Sequence, residues 1–105
     1  MYNYKIIVEY DGTNFVGWQQ QENGKSIQAV LQDAAFKLSG EKIIIFGAGR
    51  TDAGVHAYGQ VASFTINKKI ETDVIRDGLN QHLRPHLISV QKAELVDSKF
   101  HARFS

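Results

Sequence analysis

The chain has no cysteine, so no disulfide can form, and none is needed in a reducing compartment. It has one proline and no low-complexity run, which argues against disorder. No segment approaches the roughly 20 apolar residues of a membrane span. The first residues carry Lys5, Glu9 and Asp11 and no long apolar stretch, unlike a signal peptide. A cytoplasmic protein without a membrane partner is therefore expected. Charge of one sign is also missing: 12 basic and 11 acidic residues leave a net charge of +1. The basic stripe usual for an RNA binder is absent, and charge alone does not suggest nucleic acid. The one Gly-Lys-Ser, Gly24-Lys25-Ser26, has Gln19 where a P-loop has its first glycine, which excludes a P-loop.

What is present is ordinary for one globular domain: 105 residues, 43% hydrophobic and 22% charged. A chain of this size buries roughly 65% of its unfolded surface, enough for a small core. Tyr4, Ile6, Val8 and Tyr10 alternate with Lys5, Ile7 and Glu9, which predicts a strand from Tyr4 to Tyr10. A polar, Gly-rich loop follows from Asp11 to Lys25, and about 15 residues is long enough to suspect function. Phe15 and Trp18 in it read as anchors, because aromatics are costly to leave in water. Ser26 caps a helix from Ile27 to Ser39, stopped by Gly40. Its apolar stripe is Ile27, Val30, Leu31, Ala34, Ala35 and Leu38. Strands are expected at Lys42–Phe46 and Gln60–Ile66. Thr72 caps a second helix, Asp73 to Leu83, with Val74, Ile75, Leu79 and Leu83 inward and Pro85 beyond it. A last strand runs from Ile88 to Leu95. The order β-α-β-β-α-β predicts an α+β, ferredoxin-like fold: an antiparallel sheet with two helices on one face. Ile7, Phe100 and Phe104 have nothing that must cover them, so an exposed apolar patch is expected there.

The most informative stretch is Gly47 to Ala57, GAGRTDAGVHA, lying between two apolar runs. It puts Asp52 and Arg50 on a glycine-rich loop between strands, where side chains often do chemistry. In an extended segment Arg50 and Asp52 point the same way. A guanidinium beside a carboxylate keeps it ionised, and an ionised aspartate can be a nucleophile. The plain alternative is a structural turn, for which aspartate is well suited. His82 and His86 have a zinc-like spacing, but Pro85 breaks the helix between them and no cysteine is near. No metal site is expected. His56 reads as a hydrogen-bonded loop histidine.

The full string Gly49-Arg50-Thr51-Asp52-Ala53-Gly54-Val55-His56-Ala57, followed by Gly59-Gln60-Val61, resembles the catalytic segment of the tRNA pseudouridine synthase A family. Tyr10-Asp11-Gly12-Thr13-Asn14-Phe15-Val16-Gly17-Trp18-Gln19 resembles that family's first motif. Phe100-His101-Ala102-Arg103-Phe104-Ser105 resembles the motif opening its second half. The resemblance implies an isomerase that breaks the N1–C1′ bond of uridine, turns the base and rejoins it through C5. It implies Asp52 as the catalytic residue and Arg50, Thr51, Gly54, His56 and Arg103 as substrate-binding residues. It implies no cofactor, a tRNA anticodon stem-loop as partner, and a homodimer. Residues 1–105 would be the N-terminal domain, with a second domain supplying a tyrosine and pocket walls; without it the chain is expected not to turn over.

Two alternatives share this topology. An RNA-recognition-motif-like, non-catalytic module would carry paired aromatics on its third strand, where this chain has Gly59-Gln60-Val61-Ala62-Ser63-Phe64. An acylphosphatase-like enzyme needs an arginine in the first loop, and Asp11–Lys25 has none.

Overall fold

The computed structural model describes residues 1–19 and 24–105, so residues 20–23 of the long first loop lie outside the described residues. The elements are β1 (Tyr2–Tyr10), α1 (Ile27–Ser39), β2 (Phe46–Gly47), β3 (Ala57–Ile66), α2 (Thr72–Leu83) and β4 (Ile88–Val96). The sheet order is β2-β3-β1-β4, antiparallel throughout, and this is the ferredoxin-like arrangement expected from the pattern.

The alternation in β1 does what its period demands. Tyr4, Ile6, Val8 and Tyr10 are buried in one cluster with Ile27, Leu31, Ala34 and Ala35 of α1 and Ile75, Leu79 and Leu83 of α2. Ser26 caps α1, its hydroxyl accepting the Ala29 N–H at 3.0 Å, and Gly40 closes it in the left-handed region at φ 76°. Asn80 of α2 reaches the sheet. Its amide donates to the Val90 carbonyl (2.9 Å), and its oxygen accepts the Val90 N–H (2.7 Å). This occurs where the β1–β4 register shifts, between Ile7 and Val8.

Three expectations need correction. The run Lys42–Phe46 is not a strand over its length, because only Phe46 and Gly47 pair with β3. The backbone of Ile45 is taken by α1 instead: Gln32 Oε1 accepts its N–H at 3.0 Å and Gln28 Nε2 donates to its carbonyl at 3.0 Å. With its backbone satisfied by side chains, fully buried Ile45 needs no strand neighbour. Replacing Gln32 with Ala should strand that buried N–H and cost about 1–2 kcal/mol in urea unfolding. Second, Thr72 does not cap α2. The N-cap is Glu71 and makes no side-chain cap bond. Third, Val74 does not face inward but is 47% exposed.

The second face of the sheet is not bare either. After β4 the chain turns back across it. Asn3 Nδ2 donates to the carbonyls of Asp97 (2.9 Å) and Phe100 (2.8 Å). Ser63 Oγ accepts the Ala102 N–H at 2.9 Å, and Lys5 Nζ lies 5.7 Å from the Phe100 ring centre. Ile7 and Phe100 are half-buried, against expectation, while Phe104 is 78% exposed.

Candidate active site

Two loops far apart in sequence close on each other, and glycines set how near they come. One leaves β1; the other joins β2 to β3. Trp18 N–H donates to the Thr51 carbonyl (3.0 Å), and Gly54 N–H donates to the Phe15 carbonyl (3.2 Å). A β-carbon on Gly12 would fall 2.0 Å from the Val55 carbonyl oxygen. One on Gly17, at φ +110°, would fall 2.3 Å from that of Thr51. Backbone meets backbone at both points, which leaves no room for a side chain.

Side chains add to the seam. Tyr10 OH and Thr51 Oγ1 are hydrogen-bonded at 2.8 Å. His56 Nδ1 accepts the Gly12 N–H at 3.0 Å and lies 3.1 Å from Asp11 Oδ1. One nitrogen cannot serve both. Neutral His56 accepts from Gly12, with its proton on Nε2; protonated His56 donates to Asp11. Asp11 is held below its ordinary 3.8 mainly by the Thr13 hydroxyl (2.6 Å), then by the Thr13 N–H (3.0 Å).

Burial pushes the Tyr10 phenol above its ordinary 10.0, and the bond to Thr51 offsets part of that. The folded state thus keeps this proton to higher pH than the unfolded chain does. The associated stability is full below pH 10 and is lost as pH rises through the folded value. Tyr10→Phe should cost about 1 kcal/mol at neutral pH for the lost hydrogen bond. It should also flatten the decline in urea midpoint above pH 10. An unchanged alkaline decline in the variant would place its source elsewhere.

This seam holds the stretch from Thr51 to His56 and turns Asp52 outward. Asp52 is exposed, its carbonyl accepting the Val55 N–H at 3.2 Å to close a turn. Its carboxylate enters no ion pair and no side-chain hydrogen bond among the described residues, so the expected Arg50–Asp52 pair is not formed. Thr51 between them is fixed through both backbone and hydroxyl, and Arg50 instead lines a cleft of about 170 Å³. Its other walls are Trp18, Gln19, Gln28, Phe46, Gly47 and Arg103. Of the residues singled out in the sequence, Arg50 and Arg103 thus meet at one cleft, Thr51 and His56 serve the seam, and Gly54 takes φ +79° beside Asp52.

Trp18 behaves as an anchor, 3% exposed and lying flat over Gly47, where a β-carbon would come within 2.6 Å of its ring. Phe15 is also buried, with the His86 ring 6.2 Å away. Gln28 and Phe46 were legible only as helix and strand positions, and nothing in their spacing marks the cleft; Tyr10 stood in the first quoted motif, but nothing there marked its bond to Thr51. Gln60, read as a strand residue, donates from Nε2 to the Gly49 carbonyl. A wider cavity of about 690 Å³, lined by Asp11, His56, Tyr58, His86 and Leu87 among others, includes neither Asp52 nor Arg50. His82 and His86 border different cavities, and among the described residues no cluster of three metal-ligating side chains occurs.

Fold and site together define a ferredoxin-like domain that presents an exposed carboxylate on a braced, glycine-rich loop beside an arginine cleft. The chain belongs to the tRNA pseudouridine synthase family, whose profile matches residues 6–105. It is 55% identical over 105 residues to the tRNA pseudouridine synthase A of Afipia carboxidovorans, covering 100% of this chain and 43% of that protein. The protein of the same name from Ehrlichia ruminantium (strain Gardel) is 53% identical over 103 residues, 97% of this chain and 42% of that protein. That from Parvibaculum lavamentivorans is 50% identical, over 100% of this chain and 43% of that protein. The chain thus spans less than half the length of the curated relatives it matches. Among the described residues no helix is long and apolar enough to cross a membrane.

Proposed function

We propose that these residues form the N-terminal, carboxylate-bearing domain of a cytoplasmic tRNA pseudouridine synthase that acts on uridines of the anticodon stem-loop as a homodimer. The observation that carries this reading is Asp52: exposed, without a side-chain partner among the described residues, and held on a loop braced by a second loop. Isomerisation of uridine calls for a carboxylate at the ribose. Asp52 can attack C1′ as a nucleophile or take a proton from C2′ as a base. As a nucleophile it bonds C1′ as N1–C1′ breaks, and C5 of the turned base then displaces it from C1′; as a base it takes the C2′ proton as N1–C1′ breaks and returns it to C2′ as C5–C1′ forms. In both routes the C5 proton leaves and N1 regains one. The product is an isomer, with no net oxidation or hydrolysis.

The target base is stacked in RNA and must be flipped out to be reached. Arg50 at the adjacent cleft is suited to fill the vacated space or hold a flanking phosphate, as its planar guanidinium is always charged. Thr51, Gly54 and His56 contribute by fixing the loop, and Arg103 by adding a second cation at the cleft. The sheet topology is equally that of an RNA recognition motif, but Asp52 and the matched family favour the isomerase.

Tritium release from tRNA carrying C5-tritiated uridine tests the reading. The 105 residues would be compared with a fusion in which they replace the matching part of the Afipia carboxidovorans protein. The fusion should release tritium. The chain alone should bind tRNA weakly and salt-sensitively, through phosphate contacts, and release none. A folded, tRNA-binding fusion that releases no tritium would overturn the assignment.

A further inference from the structure

The second face of the sheet carries a row of rings that ends in the open. Phe46 of β2 lies 4.4 Å, centre to centre, from His101, and His101 lies 4.8 Å from Phe104. Within these 105 residues Phe46 is 40% exposed and Phe104 is 78% exposed, so here the row turns an aromatic face outward. The row adjoins the arginine cleft and shares residues with it. Phe46 is a wall of both, and Arg103 lines the cleft while its guanidinium carbon sits 5.5 Å from the Phe104 ring centre. Among the described residues no acidic side chain lines this cleft, and neither Arg50 nor Arg103 makes an ion pair.

A flat apolar face beside two guanidinium groups that have no acidic partner among the described residues matches a ligand that is itself flat on one side and anionic on the other. An unpaired nucleotide has this composition. Its base stacks on a ring at little cost in sequence preference, and its phosphates meet planar cations. We propose that Phe104, backed by His101 and Phe46 and flanked by Arg103 and Arg50, is a stacking platform for an unpaired nucleotide of RNA. The rings of the platform lie outside the Asp52 loop, share Arg50 with it at the cleft and would hold RNA next to it. The inference deepens the proposed function and rests on it for the identity of the RNA.

The buried members of the chain's aromatic set do not compete for this role. Tyr4, Tyr10, Phe15, Trp18 and Phe64 are core residues. Nor does the row support the fold through its outer end, because Phe104 is attached to the body through its neighbours: Ala102 is bonded to Ser63, and Phe104 N–H donates to the His101 carbonyl. Phe104 can therefore be changed without unfolding the chain.

Fluorescence anisotropy with labelled single-stranded oligouridylate, and with an abasic oligonucleotide of equal phosphate number, reads the platform directly. Oligouridylate should bind more tightly than the abasic strand. Phe104→Leu should weaken oligouridylate roughly tenfold and leave the abasic strand unchanged. Phe104→Trp should retain the wild-type affinity. Equal binding of oligouridylate by wild type and Phe104→Leu would overturn the platform, as would equal binding of the two oligonucleotides by wild type. Self-association relieved by Phe104→Leu, with no change in RNA affinity, would assign the rings to a contact between copies. Intact tRNA run alongside separates the two levels of inference. If tRNA binds with a salt-dependent affinity and oligouridylate shows no ring effect, only the platform fails. If neither RNA binds, the tRNA reading falls with it.

Discussion

Asp52→Asn, introduced into the fusion with the Afipia carboxidovorans protein, should abolish pseudouridine formation, a loss on the order of a thousandfold or more. The affinity for tRNA should change by about twofold at most. The separation is expected because the carboxylate has no partner among the described residues. It neither bridges to Arg50 nor accepts a backbone N–H from its own loop, so the amide disturbs no contact among the described residues. Stability should stay within about 0.5 kcal/mol of the parent, as for other surface exchanges. Loss of turnover with folding and binding intact is the signature of a group acting on the substrate. Turnover close to the parent's would remove Asp52 from the chemistry. Parallel losses in stability would instead make it a turn residue.

Gly12→Ala and Gly17→Ala should be the most destabilising single exchanges at the site, each costing roughly 3 kcal/mol or more in urea unfolding. In both, the new methyl would land on a carbonyl oxygen of the opposing loop, 2.0 and 2.3 Å away, and Gly17 also holds φ +110°. A backbone carbonyl cannot swing aside as a flexible side chain can, so the loops must part. Gly54 supplies the control. It too has positive φ, at +79°, but nothing among the described residues lies within 4 Å of its β-position. Gly54→Ala should therefore cost only the conformational strain, about 1 kcal/mol. Equal effects at Gly17 and Gly54 would show that backbone angle, and not the approach of the loops, governs the site. Against a total stability of about 5–15 kcal/mol for such a domain, the difference is readily measured.

The parts of the fold that were legible in the sequence are those where a residue's partners lie on its own element or follow its period. Helix α1 runs from Ile27 to Ser39 as the Ser26 cap, the apolar stripe and Gly40 require. Strand β1 was visible as an alternation. Lys42–Ile45 misled because an apolar, β-branched run reads as a strand whether its backbone is paired with a strand or with Gln28 and Gln32 of a helix. The start of α2 misled because a threonine beside Asp73 looks like a cap, while the backbone turns one residue earlier at Glu71. At the site, the loop residues could be picked out from the Gly47–Ala57 string, but their assembly could not. The spacing of Arg50 and Asp52 suggested a pair; the structure sends Arg50 to a cleft shared with Arg103, a residue distant in sequence. That meeting depends on the tail crossing the sheet through Asn3 and Ser63, which no local pattern encodes.

The chain has one tryptophan, and it stands at the seam. Trp18 bonds through its N–H to the carbonyl of Thr51, spreads its indole over Gly47 and lies 6.2 Å from the Tyr10 ring. The protein therefore carries its own optical gauge of the closed loops. Indole emission comes from this single position, so its wavelength and quenching report whether water reaches the contact between the first loop and the Asp52 loop. Opening of that contact can be followed without a label, separately from the far-ultraviolet signal of the helices and sheet.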